Sequence, residues 1–368
     1  MNILIIGEFS GFAKHLKRGF ELLGHRVVIA HTGDGWKGFE PTGDDIIYGV
    51  NPISFWGHPV KCSWRLFVPK ENRRIQKKIE FLLSNGIDLI VCVNYTFLSA
   101  RFYQLGVGIN FIKKILNKGS KLIMSECGNS MAGFFFRKDW FETHGYSVRK
   151  IKDKRYSFLL DYSTVIIPTT YYYYEQLQAY SSYYPFNLSK ILHSIPLPIT
   201  IDKEIVVNPI NNRKITIFHG IIRPIQKGTP FIQEAMNRLQ QEMPEKVECV
   251  CKGGMPYEEY IRLFDRVDIL IDQVYDNGYG MNAMIGAMNG KCVLNACGPE
   301  NSEIMGIPKI PFVKIGPDSE QIYKVLRELV LNPQRIDEIK IASRKFAEQY
   351  CDSKIIAQRY IESVGLTD

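Results

Sequence analysis

Short apolar runs alternate along this chain with amphipathic stretches of helical period, and this alternation limits the folds that the chain can adopt. Ile3–Ile6 and Val27–Ala30 read as buried strands on either side of a helix over Phe12–Leu23. The same order returns later, in elements predicted over Ile215–Phe218, Pro230–Met243, Val247–Lys252, Tyr257–Phe264 and Ile269–Asp272. Strands and helices that alternate in this way form parallel sheets with crossover helices. We therefore expect an α/β protein.

A proline-rich segment near residues 196–212 separates the two series of predicted strands and helices. The chain has 368 residues, enough for two ordinary domains. After the second series, residues 319–364 have a helical period and are long enough for two helices, with Pro333 at the turn between them. The sequence therefore predicts two domains joined by a linker.

Composition places the chain among globular proteins, because 45% of its residues are hydrophobic and 23% are charged. No apolar run approaches the roughly 20 residues that a membrane-spanning helix needs. The first residues read as a buried strand rather than a signal peptide. The eight cysteines show no metal-ligand spacing. We expect a cytoplasmic protein with reduced thiols.

The formal net charge of +8 is unevenly distributed. Residues 1–196 contain 25 Lys and Arg against 15 Asp and Glu, whereas residues 197–368 contain 21 against 23. We expect basic clusters at Lys70–Lys78, Lys113–Lys121 and Arg149–Arg155 to share one side of the first half. Such a face suits phospholipid headgroups, a pyrophosphate-linked substrate or nucleic acid, and the alternative is a face that is only solvated.

Glycines follow the first predicted strand. Gly7, Ser10 and Gly11 form a turn between that strand and the next helix, where exposed backbone amides attract phosphate or carboxylate. The spacing does not match the G-x-G-x-x-G pattern of dinucleotide sites. A turn of this kind also occurs in doubly wound domains that bind nothing there.

Two cations occupy the corresponding loop of the second half. The predicted strand ends at Phe218, and His219 and Gly220 follow it as candidate ligand contacts. Arg223 and Lys227 come next, before a helix that opens at Thr229. Arg binds diphosphate oxygens bidentately and Lys acts as a point charge. We call Arg223 and Lys227 the cation pair, and we expect it to bind a diphosphate. The alternative is that both side chains are only solvated.

One strand further on, "YDNGYGMNAMIGAMNGKCVL" combines a small-residue turn with a helix and a strand. Gly278, Tyr279 and Gly280 form the turn, and the amides of Met281 and Asn282 open the helix. Open α/β sheets bind ligands at the carboxyl ends of their strands. We therefore expect this turn and the cation pair to contact one ligand, with ordinary helix capping as the alternative.

The sequence resembles the retaining glycosyltransferases of the GT-B fold, specifically family 4, and looks like the bacterial members that build capsule or O-antigen polysaccharides. The resemblance rests on "GEFSGFAKHLKRGFELLGHRVVIAHTGDGWK", on the cation pair and on "GYGMNAMIGAMNGKCVL", and it covers nearly the whole chain. It implies two doubly wound Rossmann-like domains facing a central cleft. Their implied bounds are 1–200 for the acceptor side, 201–350 for the nucleotide-sugar side, and 351–368 for a helix that packs back on the first domain.

The resemblance also implies a reaction: a sugar leaves a nucleotide-sugar donor and joins a glycan or polyprenyl-diphosphate-linked acceptor with retention of configuration. The cation pair would neutralise the departing diphosphate, and the helix start at Met281 would contact donor sugar and phosphate. Family members carry two glutamates where this chain has Asn277 and Ile285. The ribose contact is then lost, or it is replaced by Asp272, Gln273 or Asp276.

Side chains after two strands of the first half are candidates for the sugar and acceptor side: Asn94 and Tyr95, then Glu126 and Asn129. Glu126 is the candidate acid/base or sugar ligand, or else it caps the next helix. No Asp-x-Asp lies in a suitable loop, so we expect neither a metal nor another cofactor.

Three functions remain in competition. The first is a cytoplasmic transferase that docks on the inner face of the plasma membrane. The second is a non-catalytic GT-B protein that binds a sugar or nucleotide and assists other polysaccharide enzymes, which the isoleucine at position 285 favours. A nucleic-acid partner is the weakest of the three, because the basic half lacks a recognisable RNA or DNA module.

Overall fold

The computed structural model describes residues 1–33, 43–48, 54–55, 58–59, 64–101, 104–143, 152–201, 205, 207–211, 213–221, 223–254 and 257–366. Residues 149–151 of one predicted basic cluster, part of the predicted linker and residues 34–37 of the N-terminal motif lie outside these ranges. The chain divides into two compact units. Unit 1 comprises Met1–Thr169, Tyr173–Ile195 and Ser353–Asp368, and unit 2 comprises Thr170–Tyr172 and Pro196–Asp352.

The strands of the described ranges are short. They are β1 Asn2–Ile6, β2 Arg26–His31, β3 Ile46–Ile47, β4 Ser54–Phe55, β5 His58–Pro59, β6 Leu89–Cys92, β7 Leu98–Ser99, β8 Val107–Gly108, β9 Lys121–Glu126, β10 Val165–Pro168, β11 Ile215–Ile221, β12 Val247–Gly253, β13 Ile269–Ile271, β14 Cys292–Asn295 and β15 Val313–Lys314.

Helices connect most of these strands. They are α1 Phe12–Leu22, α2 Trp64–Leu82, α3 Ile109–Leu116, α4 Met131–Phe136, α5 Lys138–Thr143, α6 Lys154–Tyr162, α7 Tyr171–Tyr180, α8 Pro224–Lys227, α9 Thr229–Glu242, α10 Tyr257–Arg266, α11 Met281–Met288, α12 Glu300–Met305, α13 Ser319–Leu331, α14 Pro333–Tyr350 and α15 Ser353–Ser363. Short 3₁₀ helices cover Tyr95–Phe97 and Leu188–Lys190.

Each unit is built on one parallel sheet. The six strands of unit 1 lie in the order β10-β9-β6-β1-β2-β3, and the five strands of unit 2 lie in the order β12-β11-β13-β14-β15. Every pairing in the two sheets is parallel. In both units the strand order reverses next to the first strand of the series, β1 or β11. The loops that follow strands of one sheet therefore leave from one edge, the carboxyl edge.

The sheets are apolar because helices cover both of their faces. In unit 2, Ile271 and Leu294 pack with Met236 of α9 and Leu326 of α13 in one buried cluster. On the opposite face α11 comes so close that a Cβ on Gly286 would lie 2.5 Å from Leu270. Residues 269–271 and 292–294 are consequently buried on both sides, which explains their unbroken apolar sequence.

The predicted elements correspond closely to the observed ones. The largest difference is in β11, which runs to Ile221 rather than ending at Phe218. The C-terminal stretch differs in another way, because residues 319–364 contain three helices rather than the two predicted by periodicity. Pro333 is the first residue of α14, where its missing amide hydrogen costs no hydrogen bond. The additional break lies at Cys351 and Asp352, and Asp352 pairs with Ile199 in an isolated bridge.

The last helix, α15, packs on α1 within unit 1. A Cβ on Gly19 of α1 would lie 1.9 Å from the carbonyl oxygen of Ser353 and 2.9 Å from Cβ of Ala357. The hydroxyl groups of Tyr360 and Ser125 are 2.9 Å apart, which links α15 to β9. The contact between the two helices therefore depends on a residue without a side chain.

We expect Gly19→Ala to destabilise the protein by at least about 2 kcal/mol, because the added methyl group would have to displace backbone. Chemical denaturation of both forms measures the change in the free energy of unfolding. Gly108→Ala is the matched control, since a Cβ there meets only Cβ of Phe111 at 4.0 Å. Equal unfolding midpoints for the two variants would contradict this packing of α15 on α1.

Candidate functional site

The backbone amides of the loop between β1 and α1 bind a carboxylate of the same loop, that of Glu8. Glu8 is fully buried, and its two carboxylate oxygens accept hydrogen bonds from the backbone amides of Gly11, at 2.8 Å, and Lys14, at 2.9 Å. A carboxylate in this position satisfies amides that α1 leaves unpaired and interacts favourably with the helix dipole. These two amides, at the predicted phosphate loop, are therefore already occupied in this conformation.

The backbone of this loop is tightly constrained. Gly7 and Gly11 have positive φ angles of 104° and 91°, and Ser10 reaches 57° although it is not a glycine. A Cβ on Gly7 would lie 2.3 Å from the ring of Phe97, so the ring occupies the space that a side chain would need. Ser10 remains partly exposed.

Asn94, a predicted sugar ligand, holds two loops of unit 1 together. Its side-chain amide donates to the carbonyl oxygens of Cys127 and Asn129, each at 3.0 Å. Its Oδ1 accepts from the amide and the hydroxyl of Thr96. All of its donor and acceptor groups thus have protein partners, and it is only 5% exposed.

Tyr95 and Asn129 differ in exposure. Tyr95 is buried, packs edge-on against Tyr156 and lies under the guanidinium of Arg155, and burial raises the pKa of its phenol to about 12. Asn129 is exposed, and its side chain has no partner in the described part of the chain. Asn129 is therefore the more accessible of the two.

Glu126 lies at the end of β9 and is 2% exposed. The hydroxyl of Tyr156 donates to Glu126 Oε1 at 3.0 Å. Burial raises the pKa of this carboxyl from 4.5 to about 7, although hydrogen bonds from Ser130 and Tyr156 oppose the shift. Glu126 therefore titrates near neutrality, as a general acid/base would, but in a buried position among aromatic rings.

In unit 2 the two cations of the pair differ. Arg223 precedes the one-turn helix α8 and adopts a left-handed conformation with φ 54° and ψ 66°. Its side chain is exposed and makes no hydrogen bond or ion pair with any described residue. Arg223 thus presents an uncompensated charge at the carboxyl edge of the sheet.

Lys227, by contrast, is paired. Its ammonium lies 2.8 Å from Oδ1 of Asp272, a carboxylate that is 2% exposed. Asn282 of α11 donates to the same oxygen at 3.0 Å. Burial opposes ionisation of Asp272, but Lys227 and Asn282 outweigh it and hold the pKa of Asp272 below its usual value. Lys227 and Asn282 therefore form one polar cluster around the buried Asp272, and this cluster connects the end of α8, the end of β13 and the start of α11.

His219 is buried within β11, next to Gly220. One ring nitrogen, Nδ1, lies 2.9 Å from the carbonyl oxygen of Ile271, and the other, Nε2, lies 2.9 Å from the hydroxyl of Thr229. The carbonyl can only accept, so Nδ1 carries the proton and Nε2 accepts from Thr229. Burial lowers the pKa of His219 to about 4. The ring is thus neutral and fully engaged by the protein, and a contact with a donor stays a prediction.

The turn before α11 is shaped by close contacts. A Cβ on Gly278 would lie 2.7 Å from the hydroxyl oxygen of Thr170, so only glycine fits there. Tyr279 is 4% exposed, packs edge-on against Phe312 and directs its hydroxyl to the sulfur of Met305. Its phenol therefore belongs to the core of unit 2. Gly280, half-buried, precedes the amides of Met281 and Asn282 at the helix start.

Asn277, at one of the two expected glutamate positions, is a structural residue. Its Oδ1 accepts from the amide of Gly298 at 2.7 Å and from the side chain of Asn301 at 3.0 Å. Its own amide group donates to Glu300 at 3.2 Å. Ile285, at the other position, lies partly exposed on α11 and offers no polar group. Neither position provides a carboxylate.

Two polar residues that hold these loops in place, Glu8 and Asn301, were not predicted from the sequence. Glu8 follows Gly7 directly, and an acid before a helix start is a recognisable signal for capping. Asn301 is the other, and its side chain donates to Asn277 and accepts from the amide of Tyr171 at 2.9 Å. No local pattern around Asn301 indicates these contacts.

Among the residues that the structure describes, no group of three or more His, Cys, Asp or Glu side chains is arranged to hold a metal ion. Within the same ranges, no helix is both long enough and apolar enough to cross a bilayer.

This chain matches known proteins by its structure and not by its sequence. No protein-family model and no curated protein matches the chain. Sucrose-phosphate synthase from Thermosynechococcus elongatus superposes with a TM-score of 0.62 at 12% identity, over 98% of each chain. Anabaena HepE in complex with UDP and glucose gives 0.58 at 11% identity, over 99% of each chain.

A glycosyltransferase from Rickettsia africae gives 0.55 at 13% identity, over 99% of this chain and 97% of its own. The chain has the GT-B fold. The predicted fold class, α/β with two doubly wound Rossmann-like domains, is confirmed. Identities this low establish the fold alone, and function has to be argued from the residues of the site.

The raised pKa of Glu126 predicts how stability depends on pH. The folded protein binds this proton more tightly than the unfolded chain, so the free energy of unfolding falls as pH rises from 4.5 to about 7. The loss amounts to at most about 3 kcal/mol. We expect Glu126→Gln, which has no charge to bury, to gain stability relative to the original protein between pH 5 and pH 8. Denaturant titrations at both pH values measure this, and an equal pH dependence of the two proteins would contradict it.

Proposed function

We propose that the protein is a glycosyltransferase that moves a sugar from a nucleotide-sugar donor to a glycan or lipid-linked acceptor. The observation that carries the proposal is Arg223, which the loop after β11 holds exposed and in a left-handed conformation without a partner among the described residues. An exposed guanidinium at the carboxyl edge of a parallel sheet is suited to binding a diphosphate bidentately.

Other groups of the same edge support a diphosphate ligand. Lys227 lies one helical turn after Arg223, and Asn282 of α11 contacts the same carboxylate as Lys227. The first amides of α11 therefore lie near the ammonium of Lys227. Backbone amides at a helix start and two cations stabilise the negative charge that a nucleoside diphosphate gains as it departs.

The finer features of the proposal come from the family resemblance and the chemistry of the residues. The transfer proceeds with retention of configuration and without a metal, since the cation pair and helix dipoles supply the positive charge. Glycosyltransferases among the structural neighbours, one of them solved with UDP and glucose, support a nucleotide sugar as donor. The product belongs to bacterial surface polysaccharide, assembled on the cytoplasmic side of the plasma membrane.

One observation favours a second function, a non-catalytic GT-B protein that assists other polysaccharide enzymes. Asn277 and Ile285 replace both expected glutamates, and Asn277 is fully used in contacts with Gly298, Glu300 and Asn301. A protein of this kind would bind a sugar or nucleotide without turnover. The transfer assay described below separates the two functions.

Unit 1 also has features of a surface that contacts a membrane. Tyr162 and Tyr183 are exposed by 47% and 38%, and the ammonium groups of Lys113 and Lys152 lie 4.5 Å and 5.4 Å from the centres of their rings. Tyrosines suit the membrane interface, and lysines attract anionic lipid. We therefore include a polyprenyl-diphosphate-linked acceptor and peripheral binding to the inner membrane face in the proposal.

We expect Arg223→Ala to lower kcat/KM for the true donor by about 100-fold or more, because it removes a donor of positive charge to the leaving group. The assay measures nucleoside diphosphate release from a panel of nucleotide sugars in the presence of a polyprenyl-diphosphate-linked acceptor. Arg223→Lys should restore activity only in part, since the fork geometry is lost. The unfolding midpoint should stay unchanged, because the side chain is exposed.

The matched control is Lys345→Ala, which removes an equal charge from an exposed position on α14 of unit 2. Near-normal turnover by Arg223→Ala would show that the diphosphate binds elsewhere. If the unaltered protein turned over none of the donors, the non-catalytic function would be favoured. Lys227→Ala is a poor probe of catalysis. It leaves the buried Asp272 carboxylate without its counter-ion, which typically costs about 3–5 kcal/mol of stability.

Replacing Lys113 and Lys152 together with glutamine should weaken binding to anionic vesicles roughly 30-fold, at about 1 kcal/mol for each lysine near the surface. Flotation with phosphatidylglycerol vesicles at low and high salt measures this, and salt should abolish most of the difference. Lys246 and Lys309, exposed in unit 2, provide a control double variant. Vesicle binding that depends neither on lipid charge nor on salt would contradict the membrane role.

A further inference from the structure

Asp272 has one carboxylate oxygen that the protein leaves without a partner. Oδ1 accepts from Lys227 at 2.8 Å and from Asn282 at 3.0 Å. Oδ2 is buried and has no hydrogen-bond partner in the described part of the chain. A carboxylate accepts about four hydrogen bonds, and buried polar atoms in native proteins are nearly always paired. The unpaired oxygen therefore calls for a group that the protein does not supply.

That missing group has to be a hydrogen-bond donor. Lys227 keeps Asp272 ionised against the effect of burial, so its pKa lies below the usual value and the carboxylate only accepts. A phosphate cannot pair with Oδ2, because both groups are negatively charged. A hydroxyl group can, and carbohydrates present several.

The position of Oδ2 points to the ligand of the proposed donor site. A Cβ on Gly280 would lie 3.7 Å from this oxygen, so Oδ2 faces the residue that precedes the first amide of α11. Gly280 is half-buried and Lys227 is 13% exposed, and both lie beside it at the edge of the sheet. A molecule whose diphosphate contacts the cation pair and the α11 amides would thus place neighbouring hydroxyl groups next to Asp272.

We propose that Asp272 is the carboxylate that binds a hydroxyl group of the nucleotide-sugar donor in this chain. The inference rests on the proposed function. It explains how a site with Asn277 and Ile285 in place of two glutamates keeps a hydrogen-bond acceptor for carbohydrate. That carboxylate comes from the end of β13 instead of from α11. The hydroxyl belongs either to the ribose or to the transferred sugar, and the experiment below distinguishes them.

The test measures by calorimetry how tightly the unaltered protein and Asp272→Asn bind a set of ligands. The first series is pyrophosphate, UDP and UDP-glucose, and the second is GDP and GDP-mannose. Removing a negative charge should leave pyrophosphate binding unchanged or make it tighter, because repulsion decreases. Loss of a charged hydrogen-bond acceptor should weaken binding of the hydroxyl-bearing ligand about tenfold or more. The two effects have opposite signs, so a general change in the electrostatic field cannot imitate the result.

The ligand series locates the hydroxyl. Weaker binding of both UDP and UDP-glucose assigns it to the ribose, and weaker binding of UDP-glucose alone assigns it to the sugar. Asp265→Asn, at an exposed position of α10, is the control for the lost charge. Asp276→Asn tests the other acid of the loop after β13, and a loss confined to that variant would overturn the assignment.

Two further outcomes would overturn it as well. Equal loss of pyrophosphate and of nucleotide binding would mean that Asp272 acts only by holding Lys227, and unchanged binding of every ligand would mean that a buried water pairs with Oδ2. If Asp272→Asn fails to fold, the unaltered protein is compared with UDP, 2′-deoxy-UDP and 3′-deoxy-UDP, and with UDP-glucose and its deoxyglucose analogues. Equal affinity throughout that series would refute the inference. A protein that binds none of these ligands refutes the proposed function itself.

Discussion

Buried polar groups at the carboxyl edges of two parallel sheets must find partners, and the loops of this protein are arranged around that requirement. A parallel sheet is covered on both faces, so residues at its strand ends are buried before the chain reaches solvent. Unpaired polar groups there cost about 1–3 kcal/mol each. Glu8 meets the requirement with backbone amides, and Asn94 meets it with two carbonyl oxygens. Asp272 meets it at Oδ1 alone, through Lys227 and Asn282.

These solutions determine which groups remain for a ligand. The carboxylate of Glu8 occupies two amides at the start of α1, so in this conformation these amides are not open to the phosphate that was expected there. The loop after β11 has the opposite character, since Arg223 is exposed there. The two loops have similar positions in their units, but they differ in the groups that they leave for a ligand.

The sequence predicts the strands well because a strand buried on both faces is an unbroken apolar run, as in residues 269–271. It predicts the fates of polar side chains poorly. Tyr279 was expected beside a ligand, but its ring packs against Phe312, and Asn94 is used by residues more than thirty positions away. These partners come together only in the folded chain. No periodicity near Tyr279 or Asn94 encodes them, and any contact of the two with a ligand remains a prediction.

Arg223 and Lys227 show why two cations with the same spacing in sequence need not have the same role. Lys227 offsets the charge of a buried carboxylate, so it stabilises the fold before any ligand arrives. Arg223 holds a left-handed conformation that costs a residue with a side chain about 1 kcal/mol, and its exposed charge gains nothing from the described protein in return. Strain of this kind persists where the surrounding structure imposes it, and it is found at binding and catalytic sites. We therefore expect a ligand at Arg223, and a bidentate anion is the ligand that its guanidinium fits.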